Sequence, residues 1–213
     1  LLIQNGRIEK IAGDITATPD MRVMDLHGKY LIPGMIDSQV HFREPGFTHK
    51  GDLFSESRAA VAGGITSFME MPNTRPTTTT HEELDNKLAI GARDSAANYG
   101  FFFGATNDNI DAIRTLDPRK ACGIKVFMGA STGNMLVDRE QTLDAIFRDA
   151  PVVITTHCES TPMIQENLKA AMSRFGKDIP LTEHHMIRSR EACLASSTLA
   201  VELARGHDAQ LHV

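Results

Sequence analysis

Tyr30-Leu31-Ile32-Pro33-Gly34-Met35-Ile36-Asp37-Ser38-Gln39-Val40-His41-Phe42-Arg43-Glu44-Pro45-Gly46 runs from an apolar stretch straight into a cluster of polar side chains. The apolar part reads as a buried strand. Successive side chains of a strand alternate between faces, so Asp37, Gln39, His41 and Arg43 are expected to share one face at its carboxyl end. A carboxylate, an imidazole and a guanidinium at one strand end are poor packing material. They suit a metal ligand beside a group that grips an anion.

Outward from this stretch the chain repeats a strand–helix rhythm. Strands are expected over 30–41, 65–71, 99–105, 123–128, 151–158 and 209–213. Helices are expected over 54–63, 80–97, 108–115, 138–149, 160–174 and 188–205. Thr80 precedes Glu82 and Glu83 as an N-cap followed by an acidic first turn. Gly63 and Gly64 stop the first helix, and Pro151 opens a strand, where its missing N–H is tolerated. Strands alternating with helices imply a parallel sheet with crossover helices. The fold class is therefore α/β. The architecture expected is a TIM-like (β/α)8 barrel with about six of its eight units in residues 30–213. Such barrels need about 250 residues, so the 213-residue chain reads as part of a larger one. Residues 1–29 differ: short β-like pieces flank Asn5-Gly6, a hairpin signal. They read as part of a small β-sandwich domain.

Composition narrows the function classes. With 41% hydrophobic and 23% charged residues, the chain has the balance of a soluble globular protein. A net charge of -5 leaves no basic footprint for nucleic acid, and no apolar run has the length of a membrane span. Cys122, Cys158 and Cys193 are odd in number and lack CxxC spacing, which fits a reducing cytoplasm better than a disulfide framework.

The candidate site residues fall at predicted strand ends, where barrel active sites lie. His41 ends the first strand, Asn73 follows the second, Lys125 lies within the fourth and His157 ends the fifth. Each has a plain alternative. His41 and His157 could be hydrogen-bonded core histidines, Arg43 a solvated loop residue and Asn73 an Asx-turn former. A lysine inside a parallel strand is costly unless paired or neutral. Lys125 is either salt-bridged, less buried than its strand suggests, or an uncharged amine able to take up CO2 as a carbamate, a bidentate anionic ligand.

At this point the residues resemble a known family. Asp37 to Gly46 with Thr48-His49-Lys50-Gly51, then Ala62 to Thr66, Met71-Pro72-Asn73-Thr74, Gly123-Ile124-Lys125 and Thr156-His157-Cys158-Glu159, are similar to dihydroorotases of the amidohydrolase superfamily. The resemblance covers nearly the whole chain, in order. It implies a distorted TIM barrel, a small β-sandwich and one or two zinc ions. His41 matches the second histidine of an HxH pair, Lys125 a carboxylated bridging lysine and His157 the fifth-strand histidine. Arg43 and Asn73 match the groups that hold the substrate carboxylate, and a planar guanidinium suits that task because it makes two parallel bonds. Gln39 stands where the pattern has the first histidine. The acid–base aspartate and a further histidine are expected beyond Val213.

The resemblance also implies the activity: reversible opening of the dihydroorotate ring to N-carbamoyl-aspartate, in pyrimidine synthesis. Two readings stand beside it. One is a sister cyclic amidohydrolase, an allantoinase or a dihydropyrimidinase. The other is a non-catalytic scaffold, because an amide is a weaker zinc ligand than an imidazole. The expected partners are a small-molecule substrate, a second copy in a homodimer and an aspartate transcarbamoylase.

Overall fold

The computed structural model describes residues 1–129 and 134–213. The chain divides into two compact units, Leu1–Pro33 and Gly34–Val213. In the first, β1 (Leu2–Gln4) and β2 (Arg7–Lys10) form an antiparallel hairpin. Asn5 and Gly6 turn it with φ of 52° and 73°, the left-handed pair that a two-residue hairpin needs.

The second unit holds six parallel strands whose spatial order is their chain order. They are β3 (Met35–Val40), β4 (Ile65–Glu70), β5 (Asn98–Gly104), β6 (Gly123–Phe127), β7 (Ile154–His157) and β8 (Leu211–His212). The connecting helices are α1 (Leu53–Ala62), α2 (His81–Asp94), α3 (Ile110–Arg114), α4 (Glu140–Asp149), α5 (Thr161–Phe175), α6 (His184–Ile187) and α7 (Arg190–His207). A 3-10 turn at Leu181–Glu183 leads into α6, between the helices expected over 160–174 and 188–205, where no element was expected.

Local chemistry explains the helix starts. Asp52 caps α1 through a reciprocal box with Ser55, and Thr80 Oγ1 accepts the Glu83 N–H at 3.2 Å. Ser189 caps α7, and Pro162 sits in the first turn of α5, where it removes no needed donor. All five residues of β6 are buried, as a strand covered on both faces requires. The core joins Phe68, Phe101, Phe103, Ile124, Val126 and Ile154 of the sheet to Leu84, Leu143, Ile146, Phe147 and Ala200 of the helices. Among the described residues no helix is long and apolar enough to cross a membrane.

The first strand departs from expectation in two ways. It begins at Met35, whose N–H reaches Gly64 O at 3.1 Å. Pro33 has no N–H to offer a ladder, and Tyr30, Leu31 and Ile32 are exposed rather than buried. Met35 and Ile36 are exposed too, because among the described residues β3 has a strand neighbour on one side only. The alternation also breaks. The register with β4 slips between Asp37 and Val40, and Asp37 Oδ1 accepts the Gln39 N–H at 3.0 Å. The ladder ends at Val40, and Arg43 takes a left-handed φ of 70°. Asp37, Gln39, His41 and Arg43 therefore do not share one regular strand face: a bulge and a left-handed turn re-aim them.

Candidate metal and anion site

Lys125 is 3% exposed, in register with Gly104 of β5 and Thr155 of β7. Among the described residues it has no salt-bridge partner; its Nζ lies 5.1 Å from the Phe127 ring centroid. Removal from water, opposed by the neighbouring Cys158, lowers its pKa from 10.5 to about 8. Of the three alternatives raised by its position, the salt bridge and the exposed strand both fail among the described residues, and an amine that gives up its proton more readily than an ordinary lysine remains.

His157 ends β7 opposite Phe127, their ring centroids 6.2 Å apart. Its Nε2 lies 3.0 Å from Glu159 Oε2, and Arg188 grips the same carboxylate. Burial raises the Glu159 pKa, but His157 and Arg188 together hold it below its ordinary value. Neither Glu159 nor Arg188 was singled out from the sequence. The carboxylate sat inside a quoted motif, whereas the arginine arrives from the turn before α7 and gave no local signal.

Gln39, Lys125, Thr156, His157, Glu159 and Arg188 line one open pocket of about 350 Å³. Cys158, Ser189, Cys193 and Val213 complete it. Gln39 of β3 thus lies on the wall that holds Lys125 and His157. His41 is not part of that wall, but it is close enough to feel Lys125. Partial burial lowers the His41 pKa first, and the Arg43, Lys125 and Lys87 charges lower it further, while the neighbouring Asn73 amide opposes them. Asn73 Oδ1 is buried and makes no hydrogen bond of good geometry among the described residues, so His41 is the polar group that its amide faces.

Arg43 and Asn73 lie on two adjoining loops. The Arg75 N–H donates to Pro45 O at 3.0 Å and joins them. Glu44 has a structural duty: its Oε2 accepts the Leu53 N–H at 2.8 Å, at the start of α1. Two further charges went unnoticed in the sequence. Glu70 and Lys87 are both fully buried, with Lys87 Nζ 2.6 Å from Glu70 Oε2. The contact is an ion pair by distance whose angle misses that of a hydrogen bond. A carboxylate set among Phe68, Met69 and Met71 was a signal of the same kind as Lys125.

Among the described residues, no three of His, Cys, Asp and Glu converge in a metal cage. The donors present are of another kind: the Gln39 amide, the Lys125 amine and the His157 ring on one pocket, with His41 next to it. A lysine of lowered pKa, whose amine could carry a carbamate, with two imidazoles nearby, is a donor set suited to zinc.

A parallel sheet in chain order with helices between its strands, and polar groups gathered at the carboxyl ends, defines a barrel of the TIM type. An L-hydantoinase (dihydropyrimidinase) from Arthrobacter aurescens superposes with a TM-score of 0.78 at 26% identity, over 85% of this chain and 42% of that one. Residues 30–203 match the amidohydrolase family, and the chain belongs to that family. A dihydroorotase from Halobacterium salinarum is 36% identical over 208 residues, 96% of this chain and 47% of its own length. An allantoinase from Deinococcus radiodurans is 32% identical over 177 residues, 81% of this chain and 39% of its own. The chain spans about half the length of the curated relatives it matches, or less.

Proposed function

We propose that this chain carries the metal-binding and substrate-anion half of a dihydroorotase site, which hydrolyses the ring amide of dihydroorotate to N-carbamoyl-aspartate. The observation that carries this reading is the pocket shared by Gln39, Lys125 and His157, with a buried lysine whose pKa falls to about 8. The similarity to dihydroorotases over most of the chain supports it.

One or two zinc ions would be held by carboxylated Lys125, His157 and His41, with Gln39 as a weak neutral donor. Zinc, when bound, supplies water activated at neutral pH and polarises the amide carbonyl. The protein's own work is positional. Glu159 occupies Nε2 of His157, which leaves Nδ1 as the nitrogen for a cation and fixes the ring plane, the usual duty of a carboxylate behind a ligand histidine. The apolar enclosure of Lys125 keeps its amine ready for CO2. Arg43 offers the ring carboxylate two parallel bonds, and Asn73 offers a buried polar atom beside it. Together they fix the reach of the scissile amide. Water adds across the C–N bond: the carbonyl carbon takes the hydroxyl and becomes a carboxylate, the ring N–H takes one proton to become the NH2 of the carbamoyl group, and the carboxyl proton leaves to solvent. The acid–base role is assigned to none of the described residues.

Steady-state rates of the intact protein on dihydroorotate, allantoin and hydantoin test the reading. Dihydroorotate is expected to dominate, because the other two rings lack the carboxylate that Arg43 serves. A preference for allantoin or hydantoin would reject the substrate assignment. Gln39 favours a second reading, a barrel kept as a scaffold in a homodimer or for an aspartate transcarbamoylase partner. Less than one equivalent of zinc together with no turnover would support it.

A further inference from the structure

The two residues assigned to the substrate carboxylate lie on separate loops, and one buried ion pair reaches both. Glu70 closes β4, and its Oε1 accepts the backbone N–H of Arg43 at 3.1 Å. Its other oxygen lies 2.6 Å from Lys87 Nζ, which comes from α2. Lys87 Nζ also donates to Met71 O at 2.9 Å, two residues before Asn73. Both side chains are completely buried, and the Lys87 ammonium faces the Phe101 ring at 5.3 Å from its centroid.

A buried ion pair is a poor source of stability, since its desolvation offsets most of its Coulomb gain. Burial pushes Glu70 up and Lys87 down in pKa, each opposed by its partner's charge. What such a pair can supply is position. Arg43 holds a left-handed φ of 70°, a conformation that costs a non-glycine residue free energy and needs outside support. The Glu70 carboxylate gives that support at the N–H. Lys87 ties the carbonyl that begins the Asn73 turn. The Arg75–Pro45 bond then joins the two loops directly.

We propose that the Glu70–Lys87 pair is the positioning element of the anion clamp: it sets where Arg43 and Asn73 meet the ring carboxylate. The proposal rests on the clamp reading above. Neither residue touches substrate, so their removal acts on carboxylate recognition and spares the reaction of the amide.

Inhibition by orotate and by uracil, the same ring without its carboxylate, separates these effects in the intact zinc-loaded protein. The double variant Glu70→Gln/Lys87→Met removes both charges and leaves neither one buried alone. Glu70→Asp keeps both charges and withdraws the carboxylate by one methylene, so it decides the matter if the double variant does not fold. In each folded variant the orotate-over-uracil preference is expected to fall about tenfold or more, because small misplacements of a clamp are costly. The KM for dihydroorotate should rise with it, with kcat and zinc content near wild type. A preserved preference, or a rise in KM for dihydroorotate with equal losses for orotate and uracil, overturns the proposal. If the wild type itself does not prefer orotate, the clamp reading fails and takes this proposal with it. If the wild type prefers it and the variants do too, only the positioning role fails.

Discussion

Replacing Lys125 with methionine tests the electrostatics at the centre of the site. The structure leaves this lysine 3% exposed, without a carboxylate partner among the described residues, at a pKa of about 8 in place of 10.5. A drop of about 2.5 in pKa, at about 1.36 kcal/mol for each unit, is worth about 3 kcal/mol. Below pH 8 the amine is charged in both folded and unfolded chains, and the fold bears the whole cost of burying it. Between pH 8 and 10.5 the unfolded chain still binds this proton while the folded chain has released it. Stability therefore rises with pH across that window and levels off above it. The Lys125→Met chain lacks this contribution. Urea denaturation of both proteins at pH 7 to 10.5, with chelator and in bicarbonate-free buffer, isolates it as a difference. The variant is expected to lead by up to about 3 kcal/mol near pH 7 and to lose most of that lead by pH 10.5. A difference that stays constant with pH, or grows as pH rises, would refute the claim that an unpaired ammonium is strained there. Adding bicarbonate and zinc at pH 8 should stabilise the wild type alone, since the variant has no amine to carboxylate.

Gly46 has a φ of 91°, and a Cβ there would meet Arg75 O at 2.0 Å, so Gly46→Ala is expected to cost about 2 kcal/mol or more in urea unfolding. Arg43→Lys replaces a planar fork with a point charge; the KM for dihydroorotate should rise about tenfold with a smaller change in kcat, read from steady-state kinetics. Gln39→His puts an imidazole on the pocket wall beside Lys125 and His157 and is expected to raise bound zinc towards one further equivalent, measured by metal analysis of the purified protein.

Much of the framework is legible in local sequence. The hairpin at Asn5-Gly6, the Thr80 cap and the strand–helix alternation depend on residues within a turn of one another, so a short window contains their causes. The place of Lys125 within a buried strand was also readable, because an apolar run around a single lysine states its own anomaly. Only the tertiary structure decided the rest. Arg43 and Glu70 lie 27 residues apart in the chain, and Glu159 and Arg188 lie 29 apart. No local pattern couples such pairs, which meet only because parallel strands bring their carboxyl ends to one side of the sheet. The register slip between Asp37 and Val40 likewise depends on how β3 pairs with β4, and neither segment alone states it. Composition and periodicity thus settled the main strand–helix units, though not the turn of α6 or the start of β3. The chemistry of the site waited on long-range packing, because burial and Coulomb fields are properties of the whole fold and not of any one segment.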